Sequence, residues 1–212
     1  MVEHFEAAKP PDTVKGRRPM LRLLQVGALV FVAGLLALLI WRVATEGRGG
    51  RLVKEIKADK KPPAPKFNLP VLWPHRETWP TSLAPALADN RISPNELKGH
   101  PVVLNFFASW CVPCRHEARL LAASAREHAG RVVFLGIDVQ DLTSDARGFL
   151  KRYHVNYIAV HDGGGSTYDG YGLTGVPETY WLDARGRIVA HYPGQISRRL
   201  LEQGIRQAAR SR

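Results

Sequence analysis

The longest uninterrupted apolar stretch of the chain runs from Leu23 to Trp41 and holds no formally charged residue. As a helix it would rise about 28 Å, close to the thickness of the hydrocarbon core of a bilayer. A buried core helix normally shows a polar face, whereas Gln25 is the one strongly polar side chain here. The pattern therefore predicts a transmembrane anchor over residues 23–43.

The segments on either side of this stretch predict how the anchor is used. The stretch is longer than the apolar core of a signal peptide, and no small-x-small cleavage site follows it, so we expect the anchor to be retained. Residues 1–22 are predicted to be a cytoplasmic tail. Residues 44–66 are charged, with glycines at the start and prolines at the end, which is typical of a linker.

The remaining residues, 67–212, show the pattern of an α/β domain. Residues 73–90 have little periodicity and are predicted to be a loop. Beyond residue 93, apolar runs that indicate buried strands alternate with segments of helical spacing. The strands are "PVVLNFFA", "VVFLGIDV", "YIAVHD" and the hairpin "TYWLDARGRIVAHYPG"; the helices are 111–128, 144–154 and a final one capped by Ser197. This order predicts a mixed central sheet with helices on both faces.

The net charge of +11 does not indicate a nucleic-acid site. Residues 1–66 hold 13 of the 30 Lys/Arg and 6 of the 19 Asp/Glu, so +7 of the excess lies in the first third of the chain. The rest shows no basic stripe interleaved with aromatic residues, which a nucleic-acid site would require. We interpret the charge as solvated or facing a lipid surface.

The two cysteines of the chain, Cys111 and Cys114, form a Cys-Val-Pro-Cys motif. A structural zinc site needs four ligands, and neither a second cysteine pair nor histidines at ligand spacing accompany the motif. Covalent haem attachment needs a histidine directly after the second cysteine, where this chain has Arg115. We therefore predict no metal site and no haem attachment.

Two interpretations of the pair remain, inert buried thiols or a redox couple. The pair lies where a strand gives way to a helix, and a thiol at a helix N-terminus faces unpaired N–H groups and the positive end of the helix dipole. Both favour the thiolate, the nucleophile of disulfide exchange, and the spacing brings a second thiol within reach. The sequence favours the redox couple.

With "KFNLPVL", "LKGHPVVLNFFASWCVPCRHEA", "VVFLGIDVQD" and "GVPETYWLDARGRIVAHYPG", the chain resembles the thioredoxin superfamily over about residues 65–210. As a set these motifs are similar to the membrane-anchored TlpA/ResA/CcmG (DsbE) branch. The resemblance implies a thioredoxin-like fold outside the cytoplasm, tethered by one N-terminal helix. It implies a dithiol–disulfide centre that needs no cofactor beyond the Cys111–Cys114 disulfide.

The resemblance also implies roles for individual residues at the site. Cys111 matches the exposed attacking thiol, and Cys114 matches the buried resolving thiol. Pro177 matches a cis-proline that faces the cysteines and, with Val176 before it, aligns the substrate backbone. Trp110 matches the tryptophan beside the site and is expected to contact substrate.

Two acidic residues are candidates for moving the proton of Cys114. Cytoplasmic thioredoxins have a buried aspartate at the position of Asn105, so another group must substitute. Glu117 lies three residues after Cys114 on the same helix face and matches the CxxCxxE pattern of ResA-like proteins. Glu178, directly after Pro177, is the alternative and is also expected to contact substrate. Either could instead be a surface charge.

The expected function is that of a membrane-tethered thiol–disulfide oxidoreductase, with a disulfide reductase of cytochrome c maturation favoured by "GVPET". The implied partners are exported protein thiols and disulfides, among them apocytochrome c, and a thiol-reducing electron donor in the membrane. The expected location is the cytoplasmic (inner) membrane, with the domain outside the cytoplasm. Alternatives are a general TlpA-type reductase and a non-catalytic module that binds apocytochrome or metal. A peroxiredoxin is disfavoured because Ala108 stands where its Thr or Ser would be.

Overall fold

The computed structural model describes residues 18–44 and 48–211, with side chains described for residues 24–41 and 50–211. The chain divides into two compact units, one up to residue 46 and one from residue 47. In the first, helix α1 (Arg18–Ala44) includes the predicted anchor. Its segment Leu24–Trp41 is long and apolar enough to cross a bilayer. Most of the predicted cytoplasmic tail lies outside the described residues.

The segment predicted to be a linker, residues 44–66, contains a helix. Residues Arg48–Lys57 form helix α2, which belongs to the second unit. Leu52 is buried in the core and Ile56 packs against it. The sequence did not predict this helix because its charged composition resembles that of a linker. One apolar face is enough to pack the helix against the core. The domain therefore begins before the predicted Phe67.

Replacing Leu52 with Ala is expected to lower the free energy of unfolding by about 2–3 kcal/mol, because it removes a buried side chain and leaves a cavity. Urea denaturation of the unit from residue 47 measures the change. Leu142→Ala is the matched control, since Leu142 is 68% exposed and its truncation should change little. Equal free energies of unfolding for the two variants would support the interpretation of this segment as a linker.

Seven strands form one sheet in the order β2-β1-β5-β4-β3-β6-β7. The three central strands are parallel, and the strands outside them run antiparallel to their neighbours. Their bounds are β1 Leu69–Trp73, β2 Arg91–Ile92, β3 Val102–Phe107, β4 Val133–Val139, β5 Ile158–Asp162, β6 Glu178–Leu182 and β7 Ile188–Pro193. Every residue of β3 and β4 is buried, as expected for strands covered on both faces.

Helices cover both faces of this sheet. Beside α2 they are α3 (Val112–Glu127), α4 (Thr143–Arg152), α5 (Ser166–Tyr171) and α6 (Arg198–Arg210). One core joins α3, α4 and α6 to the sheet, with Leu121, Leu150 and Leu201 among its buried members. The other core joins α2 and α5 to the opposite face, through Leu52 and Tyr171. The predicted mixed sheet between helical layers is confirmed.

The element order from residue 93 onward is also confirmed, with small differences. Helix α4 begins at Thr143 rather than at Ser144. Ser197 caps α6 as predicted, since its Oγ accepts a hydrogen bond from the Leu200 N–H. The sequence did not predict α5, β1 or β2, nor a 3-10 helix (Thr81–Leu87) inside the expected loop. These are short elements that tertiary packing holds, so local periodicity shows them poorly.

Candidate active site

The cysteine pair lies at the carboxyl edge of the sheet, a common position for sites in α/β folds. Strand β3 ends at Phe107, a short loop follows, and α3 begins at Val112. Cys111 and Cys114 form a disulfide in the first turn of α3, with their Cα atoms 5.3 Å apart. The redox-couple interpretation requires this geometry.

Two backbone groups contact the sulfur of Cys111. The Cys114 N–H points at Sγ from 3.1 Å, so Cys111 occupies the N-cap position of α3. The Val176 carbonyl oxygen lies 3.4 Å from the same sulfur, and the Val176–Pro177 peptide bond is cis. The predicted cis-proline facing the cysteines is therefore present. An N–H at this distance stabilises a thiolate on Cys111 after reduction.

The expected exposure of Cys111 is not observed in this disulfide form. Cys111 is 3% exposed and Cys114 is 1% exposed. The Val176 carbonyl oxygen and the Cys114 N–H both contact the Cys111 sulfur, in keeping with its low exposure.

Glu117 is buried one turn of α3 beyond Cys114. Its Oε1 accepts a hydrogen bond from Asn105 Nδ2 at 2.8 Å, and its Oε2 accepts one from the Ile196 N–H at 2.8 Å. Asn105 Nδ2 also donates to Thr179 Oγ1, so the group ties β3 to α3 and β6. A surface role for Glu117 is excluded by these contacts.

The environment of Glu117 suits proton transfer near neutral pH. Burial raises the pKa of Glu117 from 4.5 to about 7, although the hydrogen bonds from Ile196 and Asn105 act in the opposite direction. A carboxyl group that titrates near working pH can both accept and return a proton. Its position on the helix that holds Cys114 is what the proton-transfer prediction requires.

Glu178, the alternative acid, does not lie where it was predicted. It is 1% exposed, so it is not the surface charge that the sequence left open. Its Oε1 accepts hydrogen bonds from the backbone and hydroxyl of Thr174, and its Oε2 lies 2.6 Å from His191 Nε2. Although burial acts in the opposite direction, these hydrogen bonds hold the pKa of Glu178 below its usual range. Glu178 braces the loop that leads to Pro177.

Two histidines are packed against the core. His191 stacks on Tyr180, with ring centroids 4.2 Å apart, and completes the brace around Glu178. His161 Nδ1 lies 2.7 Å from Oδ2 of the fully buried Asp138. The sequence gave no signal for the contact of His191 with Glu178 or of His161 with Asp138, because these histidines have no ligand spacing.

The loop after β4 holds the active-site loop in place, and the sequence did not reveal it. Trp110 is 53% exposed, and its Nε1 donates to the Gln140 carbonyl oxygen at 3.0 Å. Asp141 accepts hydrogen bonds from both the backbone N–H and the hydroxyl of Ser109. From the other side, Arg115 donates to the Ser109 carbonyl oxygen at 3.0 Å. These contacts fix the residues that lead into Cys111.

The grouping of side chains suits exchange between sulfurs. Two turns of one helix hold the disulfide, the N–H directed at the Cys111 sulfur and the Glu117 carboxyl group with its pKa of about 7. Among the described residues, no three His, Cys, Asp or Glu side chains are clustered so that they could hold a metal ion.

Comparison with known families agrees with this geometry. The model of the Redoxin family matches residues 58–207, which include the cysteine pair, Glu117 and the cis-proline. The chain belongs to the Redoxin family. The match begins inside the segment predicted to be a linker, two residues after Ile56, in keeping with the earlier start of the domain.

Named relatives of this Redoxin protein include thiol–disulfide proteins. It is 31% identical over 144 residues to the thiol:disulfide interchange protein DsbE of Xylella fastidiosa, covering 68% of this chain and 66% of the relative. It is 34% identical over 122 residues to the thiol:disulfide interchange protein CycY of Rhizobium leguminosarum, covering 57% of this chain and 62% of the relative. The aligned part thus spans slightly less than two-thirds of these relatives.

Solved structures also share the fold of this Redoxin protein. One is the crystal structure of a thiol:disulfide interchange protein of the thioredoxin family from Chlorobium tepidum. It has a TM-score of 0.56 and 25% sequence identity, and it covers 70% of this chain and 96% of that one. The thioredoxin-like fold expected from the sequence is confirmed.

Proposed function

We propose that the protein is a thiol–disulfide oxidoreductase that exchanges its Cys111–Cys114 pair with disulfides of other proteins. The observation that supports this most is the disulfide at the N-terminus of α3, with a buried acid of pKa about 7 one turn further along. Inert packed thiols would need neither group. The names of the Redoxin relatives describe the same class of activity.

The exchange proceeds in two steps from the reduced protein. The Cys111 thiolate attacks one sulfur of a client disulfide, forms a mixed disulfide and releases the other client sulfur as a thiolate. Glu117 accepts the proton of Cys114, whose thiolate attacks the Cys111 sulfur and releases the client. Two electrons pass to the client, and the protein ends with its own disulfide. A thiol-reducing donor must then return two electrons, and Glu117 returns its proton to Cys114.

The finer proposal is a disulfide reductase that serves cytochrome c maturation. It is supported by the resemblance of "GVPET" to CcmG-like proteins, and it makes apocytochrome c the client and a thiol-reducing membrane protein the donor. Pro177 and Val176 would align the client backbone beside Cys111, since the Val176 carbonyl already contacts that sulfur. Trp110 would contact the client from the exposed side of the loop.

Reduction of insulin by dithiothreitol, followed as turbidity with the full-length protein in mild detergent, tests the activity. We expect acceleration by the wild type and none by a variant in which both cysteines are Ala. Specific binding of a cysteine peptide without any acceleration would instead support a non-catalytic binding module.

We also propose that α1 is a membrane anchor with the N-terminus in the cytoplasm and the domain outside it. The apolar segment Leu24–Trp41 and the exported type of substrate support this topology. Alkaline phosphatase fused after Arg212 is expected to be active, and β-galactosidase fused at the same point inactive. The reverse pattern would contradict the topology.

A further inference from the structure

A groove between α3 and α4 begins beside the disulfide and is lined by arginines. Its first part, about 440 Å³, is lined by Trp110, Arg115 and Arg152, among others. Its second part, about 370 Å³, is lined by Arg119 and Arg126. Tyr153 lines both parts, so the two lie next to each other.

The arginines of α3 lie along one side of the helix. Arg115, Arg119 and Arg126 are separated by four and then seven residues, which is one turn and then two turns. The 11 residues from the first to the last rise about 16 Å. An extended peptide of about five residues spans this distance.

The charge of the groove is strongly one-sided. Four guanidinium groups face one carboxylate, that of Asp145, among the described residues that line the two parts. Within residues 50–211, Arg119, Arg126 and Arg152 have no hydrogen-bonded or ion-paired side-chain partner. Since all three are exposed and the screening length is about 10 Å at 0.1 M salt, their fields add along the groove.

The position of the groove connects it to disulfide exchange. Trp110 directly precedes Cys111, and Arg115 directly follows Cys114. The guanidinium of Arg115 is held in place by the Ser109 carbonyl oxygen. Trp110, Val112 and Leu142 are the exposed large apolar side chains in residues 50–211. Trp110 lines the groove, Leu142 lines a neighbouring cavity together with Trp110, and Val112 directly follows Cys111 in the sequence. A client whose cysteine reaches Cys111 must lay a neighbouring segment nearby.

We propose that the groove binds an acidic, extended segment next to the reactive cysteine of the client, and so selects clients with Asp or Glu within about five residues of that cysteine. The proposal rests on the proposed thiol–disulfide activity and adds a substrate class to it. Glutamate or aspartate side chains pair with the arginines, while the ring of Tyr153 supports the chain between them. Basic segments are repelled.

Binding of a cysteine-free peptide tests the groove independently of exchange. The full-length protein in nonionic detergent is titrated into a short peptide that has glutamates on both sides of a serine in place of cysteine. The peptide carries a dye of no net charge, and its anisotropy is measured. We expect the double variant Arg119→Glu, Arg126→Glu to bind about tenfold more weakly, because two attractions become repulsions. The double variant Arg199→Glu, Arg206→Glu on α6 changes net charge equally and should bind as the wild type does.

Exchange kinetics with disulfide-containing peptides then separate this inference from the proposed function. We expect kcat/KM to be about tenfold higher for an acidic than for a lysine-flanked peptide at low salt, and the preference to vanish in the α3 variant. If no peptide disulfide is reduced, the proposed function fails, while the binding measurement still decides the groove.

Equal binding of acidic and basic peptides, or equal loss of binding in the α3 and α6 variants, would overturn the inference. The competing occupant is an anionic lipid headgroup. Displacement of the peptide by glycerol phosphate at concentrations where free glutamate has no effect would assign the groove to that occupant and overturn the proposal.

Discussion

Replacing Cys114 with Ala is expected to leave the protein covalently joined to its clients through Cys111. The first attack still occurs, because Cys111 and the N–H that stabilises its thiolate are unchanged. The mixed disulfide then lacks the thiol that resolves it, so turnover falls on the order of a thousandfold or more. Cys114 is 1% exposed and belongs to the apolar core, and Ala fills most of its space, so the fold should be retained.

Non-reducing electrophoresis of membranes that contain the variant, followed by mass spectrometry of the adducts, measures the result. Adducts should disappear when dithiothreitol is added and when Cys111 is also replaced with Ala. Turnover of Cys114→Ala at the wild-type rate would contradict the two-step exchange. The identity of the trapped proteins decides between apocytochrome c and other exported clients.

Replacing Glu117 with Gln is expected to slow exchange by about 10- to 100-fold, the usual contribution of a general acid–base group. The wild-type rate should rise as Glu117 loses its proton, with a midpoint near its pKa of about 7, because the carboxylate accepts the proton of Cys114. The variant keeps the shape of the side chain and lacks this titration. Stopped-flow measurement of exchange between about pH 6 and pH 8 shows whether the step is lost.

Glu117 should also make the free energy of unfolding depend on pH, and here the dependence runs opposite to that of the exchange rate. The folded protein holds the Glu117 proton more tightly than the unfolded chain, whose pKa is 4.5. The contribution of Glu117 to the free energy of unfolding is therefore fully present below pH 4.5. It falls by about 3 kcal/mol as pH rises through 7. Denaturation of Glu117→Gln should lack this fall.

Glu178→Gln is the control for both measurements. Since the folded pKa of Glu178 is lowered, its contribution to stability is present above the unfolded value of 4.5 and is lost as pH falls through the folded pKa. The variant should be less stable at neutral pH and should keep the rise of the exchange rate around pH 7. A flat pH profile for Glu178→Gln beside a normal one for Glu117→Gln would assign the proton transfer to Glu178.

The sequence revealed the parts of the site that depend on local order. Strand β3, the cysteine pair and α3 follow one another directly, so the position of Cys111 at a helix N-terminus could be predicted from a few adjacent residues. Helical spacing placed Glu117 on the same helix face as Cys114, and family resemblance made it a candidate acid. Family resemblance added Pro177, whose cis bond leaves no trace in periodicity.

The parts that could not be predicted depend on contacts between distant segments. Whether Glu178 lies at the surface or inside is decided by His191, thirteen residues away on β7. The position of Ser109 depends on its hydrogen bond to Asp141, which lies in the loop that follows β4. Helix α2 has the composition of a linker and is distinguished from one by the pocket that receives Leu52. The sequence around a polar residue does not show whether that residue has a buried partner in a distant segment.

The edges of the sheet have a consequence for how the protein meets unfolded clients. At one edge, β2 has only two residues. At the other, the start of β7 donates its Ile188 N–H to Pro62, and the strand ends at Pro193. A flexible client chain therefore finds little free backbone on which to add itself as a further strand. Its capture depends on the sulfur bond, on the 176–177 segment beside it and on side-chain contacts, so the client is released when the sulfur bond breaks.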